Sequence, residues 1–253
     1  MYEAKTLSEI FSENKHTFDS SHHVIESWIK TQDKTLATSL SNAHACNRVA
    51  SLFDFDQLSQ LEGFNNIDKL CIISGSDKEP ELNFVKVQEV FVTSLEKGYD
   101  LTDDWMNESF HDKKSIMSFD FVMCNQVLEH VPDPVKSFRN IASMAKPGAY
   151  IWISIPVINR IHDEPNFYSS GYHPRFLRYL GDTNGLETVH VNAWGSLKYK
   201  LFAVSRNWLP LRKLKIGLTT NTNWIFPWSI FVNGTISNEK HIVDCWALFK
   251  KQE

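Results

Sequence analysis

Residues 118–157 read SFDFVMCNQVLEHVPDPVKSFRNIASMAKPGAYIWISIPV, two apolar runs with a helical stretch between them. The runs Ser118–Cys124 and Ala149–Ile155 are short, nearly continuous in apolar residues and rich in aromatic and β-branched side chains, the pattern of buried strands. Between them Asp133 is placed to cap a helix, Pro134 suits its first position, and Val135, Phe138, Ile141 and Ala145 recur at helical spacing. Lys146-Pro147-Gly148 then stops the helix. Strand, helix and strand in that order point to α/β layers built on a mostly parallel sheet.

The same texture extends in both directions. Further strands are expected at Lys69–Ile73, Val85–Val92, Thr188–Asn192 and Ile242–Phe249, and a second helix at Pro174 running through Leu177 and Leu180. Upstream the periodicity is helical: Thr6 with Glu9 makes a capping box, Val24, Ile25, Trp28 and Ile29 form one stripe, and Cys46, Val49, Ala50 and Phe53 form another. Gly63 is the expected stop. The predicted organisation is a helical N-terminal extension over 1–66 and an α/β domain over 67–253, interrupted by an insertion at about 196–239.

Composition narrows the function classes. A chain of 253 residues that is 42% apolar and 22% charged buries a sizeable core and is neither disordered nor collagenous. A net charge of -4 gives no global field for a polyanion, so no nucleic-acid partner is expected. No apolar run spans a bilayer and MYEAKTLSEI is unlike a signal peptide, which predicts a cytoplasmic protein. Cys46, Cys71, Cys124 and Cys245 show no C-x-x-C pair, so neither a disulfide partner nor a metal ligand set is expected, and His44 with Cys46 reads as structural. With 10 glycines in 253 residues, any loop that cradles a ligand must use them sparingly.

Open α/β sheets bind ligands outside the carboxyl ends of their strands, which directs the search to the strand-to-loop junctions. The first ends in Ser74-Gly75-Ser76-Asp77, a turn of small residues that lets a ligand approach backbone N–H groups. Others carry Tyr99-Asp100-Leu101-Thr102-Asp103-Asp104, Cys124-Asn125-Gln126-Val127-Leu128-Glu129-His130, and Arg160, His162 and Asp163 after Pro156. Each alone is also explained as ordinary turn chemistry.

Taken as a set, these junctions resemble a known family. The 118–157 stretch, with LEHVPDP and the helix-ending KPG, resembles the fourth strand, following helix and fifth strand of class I S-adenosylmethionine-dependent methyltransferases of the type 11-like group. HDEPNFYSSGYHPRFLRYLGDTNGLETVHVNAWGS resembles the segment after the fifth strand, and HIVDCWALFKK the final strand, which returns antiparallel. The resemblance implies a Rossmann-like, mostly parallel seven-stranded sheet and S-adenosylmethionine as cofactor. It implies that Ser74, Gly75, Ser76 and Asp77 pass beneath the methionine part, that Asp103 or Asp100 faces the adenine amine, and that Cys124, Asn125, Gln126 and Leu128 flank the cofactor. Candidate bases for the acceptor are His130, His162 and His173, whose neutral imidazoles are available near pH 7.

The sequence also departs from the family. LCIISGSDKEP has one glycine and isoleucines where relatives carry an acid, and VQEVFVTS puts Val92 where relatives carry the acid that grips the ribose. Three readings therefore compete. One is an O-methyltransferase acting on a sugar, glycan or lipid-linked acceptor of polysaccharide synthesis, with a small aromatic or lipid-like acceptor open because quinone-type methyltransferases share LEHVPDP. Another is a binding or scaffold protein that has lost cofactor affinity. A nicotinamide-dependent oxidoreductase needs a fuller glycine fingerprint and an acid at the next strand end, and both are missing. Within the insertion, Ser196–Phe231 interleaves Lys198, Lys200, Arg206, Arg212, Lys213 and Lys215 with large apolar residues, then adds Trp224, Phe226, Trp228 and Phe231. A lid shaping the acceptor pocket and a peripheral contact with an anionic membrane both fit that pattern.

Overall fold

The computed structural model describes residues 5–19, 22–34, 36–37, 46–93, 116–159, 161–162, 164–195 and 241–253. Asp100, Asp103, Arg160, Asp163 and the 196–239 insertion lie outside the described residues. Among the described residues the strands are β1 (Asn66–Ile73), β2 (Lys86–Thr93), β3 (Phe119–Asn125), β4 (Ala145–Pro156), β5 (Leu186–Trp194) and β6 (Asp244–Lys251). They form one sheet in the order β2-β1-β3-β4-β6-β5. The helices are α1 (Leu7–Ser12), α2 (His22–Thr31), α3 (Cys46–Leu61), α4 (Pro134–Met144) and α5 (Pro174–Thr183). The α/β class and Rossmann-like character are thus as expected, with six strands rather than seven among the described residues.

The central strands pair in parallel: β1 with β2 from Asn66↔Lys86 to Ile73↔Thr93, β1 with β3 through Leu70↔Phe121, and β3 with β4 through Asn125↔Ser154. Leu70, Cys71, Ile72 and Ile73 are all buried, as a parallel strand covered on both faces must be. Chain order reverses beside β1, whose neighbours are β2 and β3, so the crevice at the carboxyl ends of β1 and β3 is the switch point of the sheet.

Local sequence explains α4 closely. The Asp133 carboxylate accepts from the Lys136 N–H at 3.0 Å, and Phe138, Ile141, Ala142 and Met144 make the buried face. Its C-terminal end differs from expectation, because β4 begins at Ala145 and takes Lys146-Pro147-Gly148 into the strand. Phe119 pairs with Ala145 across a register irregularity before Phe121, which lets the strand start early. The Lys251 ammonium donates to the carbonyls of Ala142 and Ala145 at 3.2 and 2.8 Å, satisfying groups that the helix end leaves bare.

The chain divides into two compact units: residues 1–17, 55–192 and 245–253, and residues 18–54 and 193–244. In the first, Phe55 meets the rings of Trp152, Phe64 and Phe121 at centroid distances of 5.1, 5.6 and 6.0 Å, all edge to face. Residues 14–16 lie along the edge strand β5. Lys15 N–H donates to Val189 O at 3.0 Å, and Asn14 exchanges two 2.8 Å hydrogen bonds with the backbone of Val191. This pairing closes an edge that would otherwise expose unpaired backbone. In the second unit Ile25, Trp28, Ile29, Val49, Leu52 and Phe53 are buried, and Trp28 meets Phe53 edge to face at 5.5 Å.

Candidate functional site

The turn after β1 uses little glycine because a serine takes on the role. Ser74 has φ +48°, and its N–H donates to Thr93 O at 2.9 Å, tying the carboxyl ends of β1 and β2. Gln126, just past β3, has φ +54° and its N–H donates to Ser154 O at 2.8 Å. Both junctions at the switch point therefore hold non-glycine residues in the left-handed region, a strain of about 1–3 kcal/mol each that concentrates at functional sites.

Asn125 brings the two junctions together. Its amide Nδ2 donates to Glu81 Oε1 at 3.1 Å and to Glu79 Oε2 at 3.5 Å, while its Oδ1 accepts from the Ser154 hydroxyl at 2.9 Å. Glu79 precedes the 3-10 turn Pro80–Asn83, and Glu81, within it, is fully buried. A Cβ on Gly75 would come within 2.5 Å of Ile72 Cγ2 and 3.2 Å of Glu79 Oε1, so only glycine fits where the chain passes. Ser74, Ser76 and Asp77 are exposed beside it. The sequence reading missed Glu79, Glu81 and Ser154. KEPEL reads as turn residues, and only the register Asn125↔Ser154 shows which strand-end groups meet.

On the other side of Asn125, Cys124 and Leu128 are fully buried, and burial pushes the Cys124 thiol well above its ordinary range. Glu129 is also buried, and burial raises its carboxyl pKa against the opposing effect of its own backbone N–H, His130 and His162. The loop after β4 returns to it: Tyr168 and Ser169 N–H both donate to Glu129 O, at 2.9 and 3.1 Å. His130 and His162 meet edge to face with centroids 4.7 Å apart, and Phe167 packs on both rings. His173 stands apart from this arrangement as the N-cap of α5, its Nδ1 accepting from Arg175 N–H at 3.3 Å.

Glu129, His130 and His162 offer three donor atoms within 4.8 Å of one another. Oxygen and nitrogen ligands on opposite sides of one cation with bonds of ~2.1–2.4 Å stand roughly 4–5 Å apart, so the three groups are close enough to share one. Around Gly75 the exposed side chains of Ser74, Ser76 and Asp77 offer hydroxyls and a carboxylate, and the half-buried Glu79 packs against the glycine. That donor set fits a molecule carrying an ammonium, a carboxylate and a ribose diol, as S-adenosylmethionine does. Among the described residues, no helix is long and apolar enough to cross a membrane.

Comparison with known proteins identifies the family. A family model described as a methyltransferase domain matches residues 16–191, more than half of the chain. The chain is 39% identical over 67 residues to the ubiquinone biosynthesis O-methyltransferase of Aeromonas salmonicida (strain A449), covering 26% of this chain and 27% of that protein. It is 39% identical over 84 residues to the enzyme of the same description from Xanthomonas axonopodis pv. citri (strain 306), covering 32% and 33%. The matched part thus spans a third or less of these curated relatives. The crystal structure of a protein assigned as a sarcosine dimethylglycine methyltransferase from Galdieria sulphuraria shares the fold, with a TM-score of 0.50 and 12% identity over 81% of this chain and 85% of that one.

Proposed function

From the premise that this chain belongs to the methyltransferase domain family, among class I S-adenosylmethionine-dependent methyltransferases, we propose that it methylates a hydroxyl of a small acceptor in the cytoplasm. The observation that carries the proposal is the convergence of the β1 and β3 junctions on Asn125, with close packing of Ile72 and Glu79 around Gly75 that leaves no room for a side chain. The relatives' description as ubiquinone biosynthesis O-methyltransferases favours an aromatic or lipid-like acceptor over the sugar or glycan of polysaccharide synthesis. When bound, S-adenosylmethionine supplies a methyl group already activated on a sulfonium, so the protein chiefly orients the acceptor and keeps water out.

In this reading Ser74, Gly75 and Ser76 hold the methionine end, and Asn125 and Gln126 line the opposite side. Glu79 supplies from the loop the carboxylate that Val92 denies to the end of β2. Asp103, with Asp100 as the alternative, faces the adenine. The 196–239 insertion serves acceptor binding, with contact to an anionic membrane as the competing role.

Titration calorimetry with S-adenosylmethionine and its demethylated product tests the reading: saturable binding of both supports it, and no binding of either leaves the scaffold alternative. In the same assay Asp103→Ala is expected to weaken binding by about 1–3 kcal/mol through loss of a hydrogen bond to the adenine edge. Unchanged affinity in that folded variant moves the role to Asp100 or removes it.

A further inference from the structure

We infer, resting on the methyl-transfer reading, that Glu81 is a positioning residue for S-adenosylmethionine. Its buried carboxylate fixes the direction of the Asn125 amide, and that amide in turn holds Glu79 where the cofactor meets it. Glu81 acts only through these two side chains.

The nitrogen and oxygen of an amide are alike in shape, so the direction of Asn125 follows from its partners. A carboxylate only accepts, and two stand on one side, Glu81 Oε1 at 3.1 Å and Glu79 Oε2 at 3.5 Å from the same nitrogen. On the other side, at 2.9 Å, is the Ser154 hydroxyl, which donates as readily as it accepts. Nδ2 therefore faces the acids and Oδ1 faces Ser154. Reversing the amide would set its oxygen against both carboxylates, and the fully buried Glu81 has no water to screen the repulsion. Gln126 Nε2 lies 3.4 Å from Ser154 Oγ, so one order of donors runs from Gln126 through Ser154 and Asn125 to the acids.

The two acids differ in what they can do. They share one turn, in which Leu82 N–H donates to Glu79 O and Phe84 N–H to Glu81 O, both at 3.0 Å. Glu81 is fully buried and takes the shorter bond, so it sets the amide. Glu79 is half-buried and takes the longer one. Its Oε1 stands 3.2 Å from where a Cβ on Gly75 would lie, in the loop that the methyl-transfer reading gives to the methionine end. Like charges on so short a turn repel, and the Asn125 N–H groups between them offset that repulsion. Once Glu81 loses its charge the amide can turn, Oδ1 then meets Glu79, and Glu79 swings away from the ligand. Loss of the Ser154 hydroxyl has no such consequence, because the acids still hold Nδ2.

Titration calorimetry of the full chain with S-adenosylmethionine reads the link between the acids as a double-mutant cycle. Glu79→Gln and Glu81→Gln should each weaken binding about 10-fold, the effect of one lost charged hydrogen bond. The double variant should also lose about 10-fold, where independent effects would multiply to about 100-fold. Ser154→Ala should stay within about threefold of wild type. Losses that multiply, or a Ser154→Ala loss as large as that of Glu81→Gln, overturn the positioning role. Nitrogen-15 spectra give a second readout that needs no variant to fold. The Asn125 side-chain protons of the wild type should exchange slowly with water, and in Glu81→Gln their signals should shift and their exchange quicken. Wild-type protons that exchange as fast as those of an exposed amide overturn the arrangement. A wild type that binds no S-adenosylmethionine counts against the methyl-transfer reading, and the spectra then decide the direction of the Asn125 amide alone.

Discussion

Replacing Glu62 with Gln is expected to lower stability by about 2–3 kcal/mol at pH 7 and by almost nothing at pH 2. Glu62, just past α3, has a side chain only 3% exposed, and three groups converge on it. Lys15 Nζ and His16 Nε2 donate to Oε1 at 2.7 and 2.6 Å, and the Tyr150 hydroxyl donates to Oε2 at 2.9 Å. Burial alone would raise the Glu62 pKa, but the three donors outweigh it and hold it at about 2 against an ordinary 4.5. The depressed folded-state value means that this stabilisation is complete above about pH 5 and disappears as pH falls towards 2. The difference is worth about 3 kcal/mol, reduced somewhat because Lys15 is half exposed and screened by water. For a chain of this length that is a fall of about 5–10 °C in melting temperature at neutral pH. Urea unfolding of wild type and variant from pH 7 to pH 2.5 checks it. Curves that stay a constant distance apart would show that the ionised carboxylate contributes nothing. The same three donors tie residues 15 and 16 and strand β4 to the end of α3, so the variant should also loosen the cover over β5.

That cover illustrates what the amino-acid sequence hides. The β3-α4-β4 segment is legible because its signals are local: an apolar run, a capping Asp133, Pro134 at the first turn, and a 3.6-residue stripe. The capping box of Thr6 and Glu9 is legible for the same reason, and both of its hydrogen bonds form. Asn14, Lys15 and His16 carry no periodic pattern, and their partners on β5 and at Glu62 are distant in the chain. Hydrogen bonds between remote polar residues leave no periodicity to detect.

The candidate site divides the same way. Junction positions follow from strand ends, which is why Ser74, Gly75, Asn125 and Gln126 stand out early. The tips of β1 and β2 carry no acid, and the turn between the two strands supplies Glu79 and Glu81, which reach Asn125. Nor does the sequence reveal that His162 meets His130. That contact depends on the loop after β4 folding back to place two N–H groups on Glu129 O, and on the turn that closes the loop at Gly171.

Gly171→Ala should therefore be among the most damaging single-methyl additions in the described residues, destabilising the chain by about 2–6 kcal/mol. Gly171 has φ +141°, where a side chain is strained by about 1–3 kcal/mol. A Cβ there would also lie 2.5 Å from Pro156 O and 2.6 and 2.7 Å from the carbonyl carbon and oxygen of Val157. All three are backbone atoms at the end of β4, held by Tyr172 N–H donating to Pro156 O at 2.8 Å and Asn159 N–H donating to Ser170 O at 2.6 Å. Neither side can yield cheaply, which adds about 1–3 kcal/mol of overpacking. Gly63→Ala isolates the two contributions, because Gly63 has φ +74° with nothing within 4 Å of the added carbon. It should lose only the conformational part, about 1 kcal/mol. Equal losses in the two variants would show that backbone strain alone matters and that the Pro156 contact gives way. Where Gly171→Ala still folds, the loop should pull Tyr168 and Ser169 from Glu129 and part the two imidazoles. Methyl transfer should then fall while S-adenosylmethionine binding at the β1 and β3 ends stays near the wild-type value.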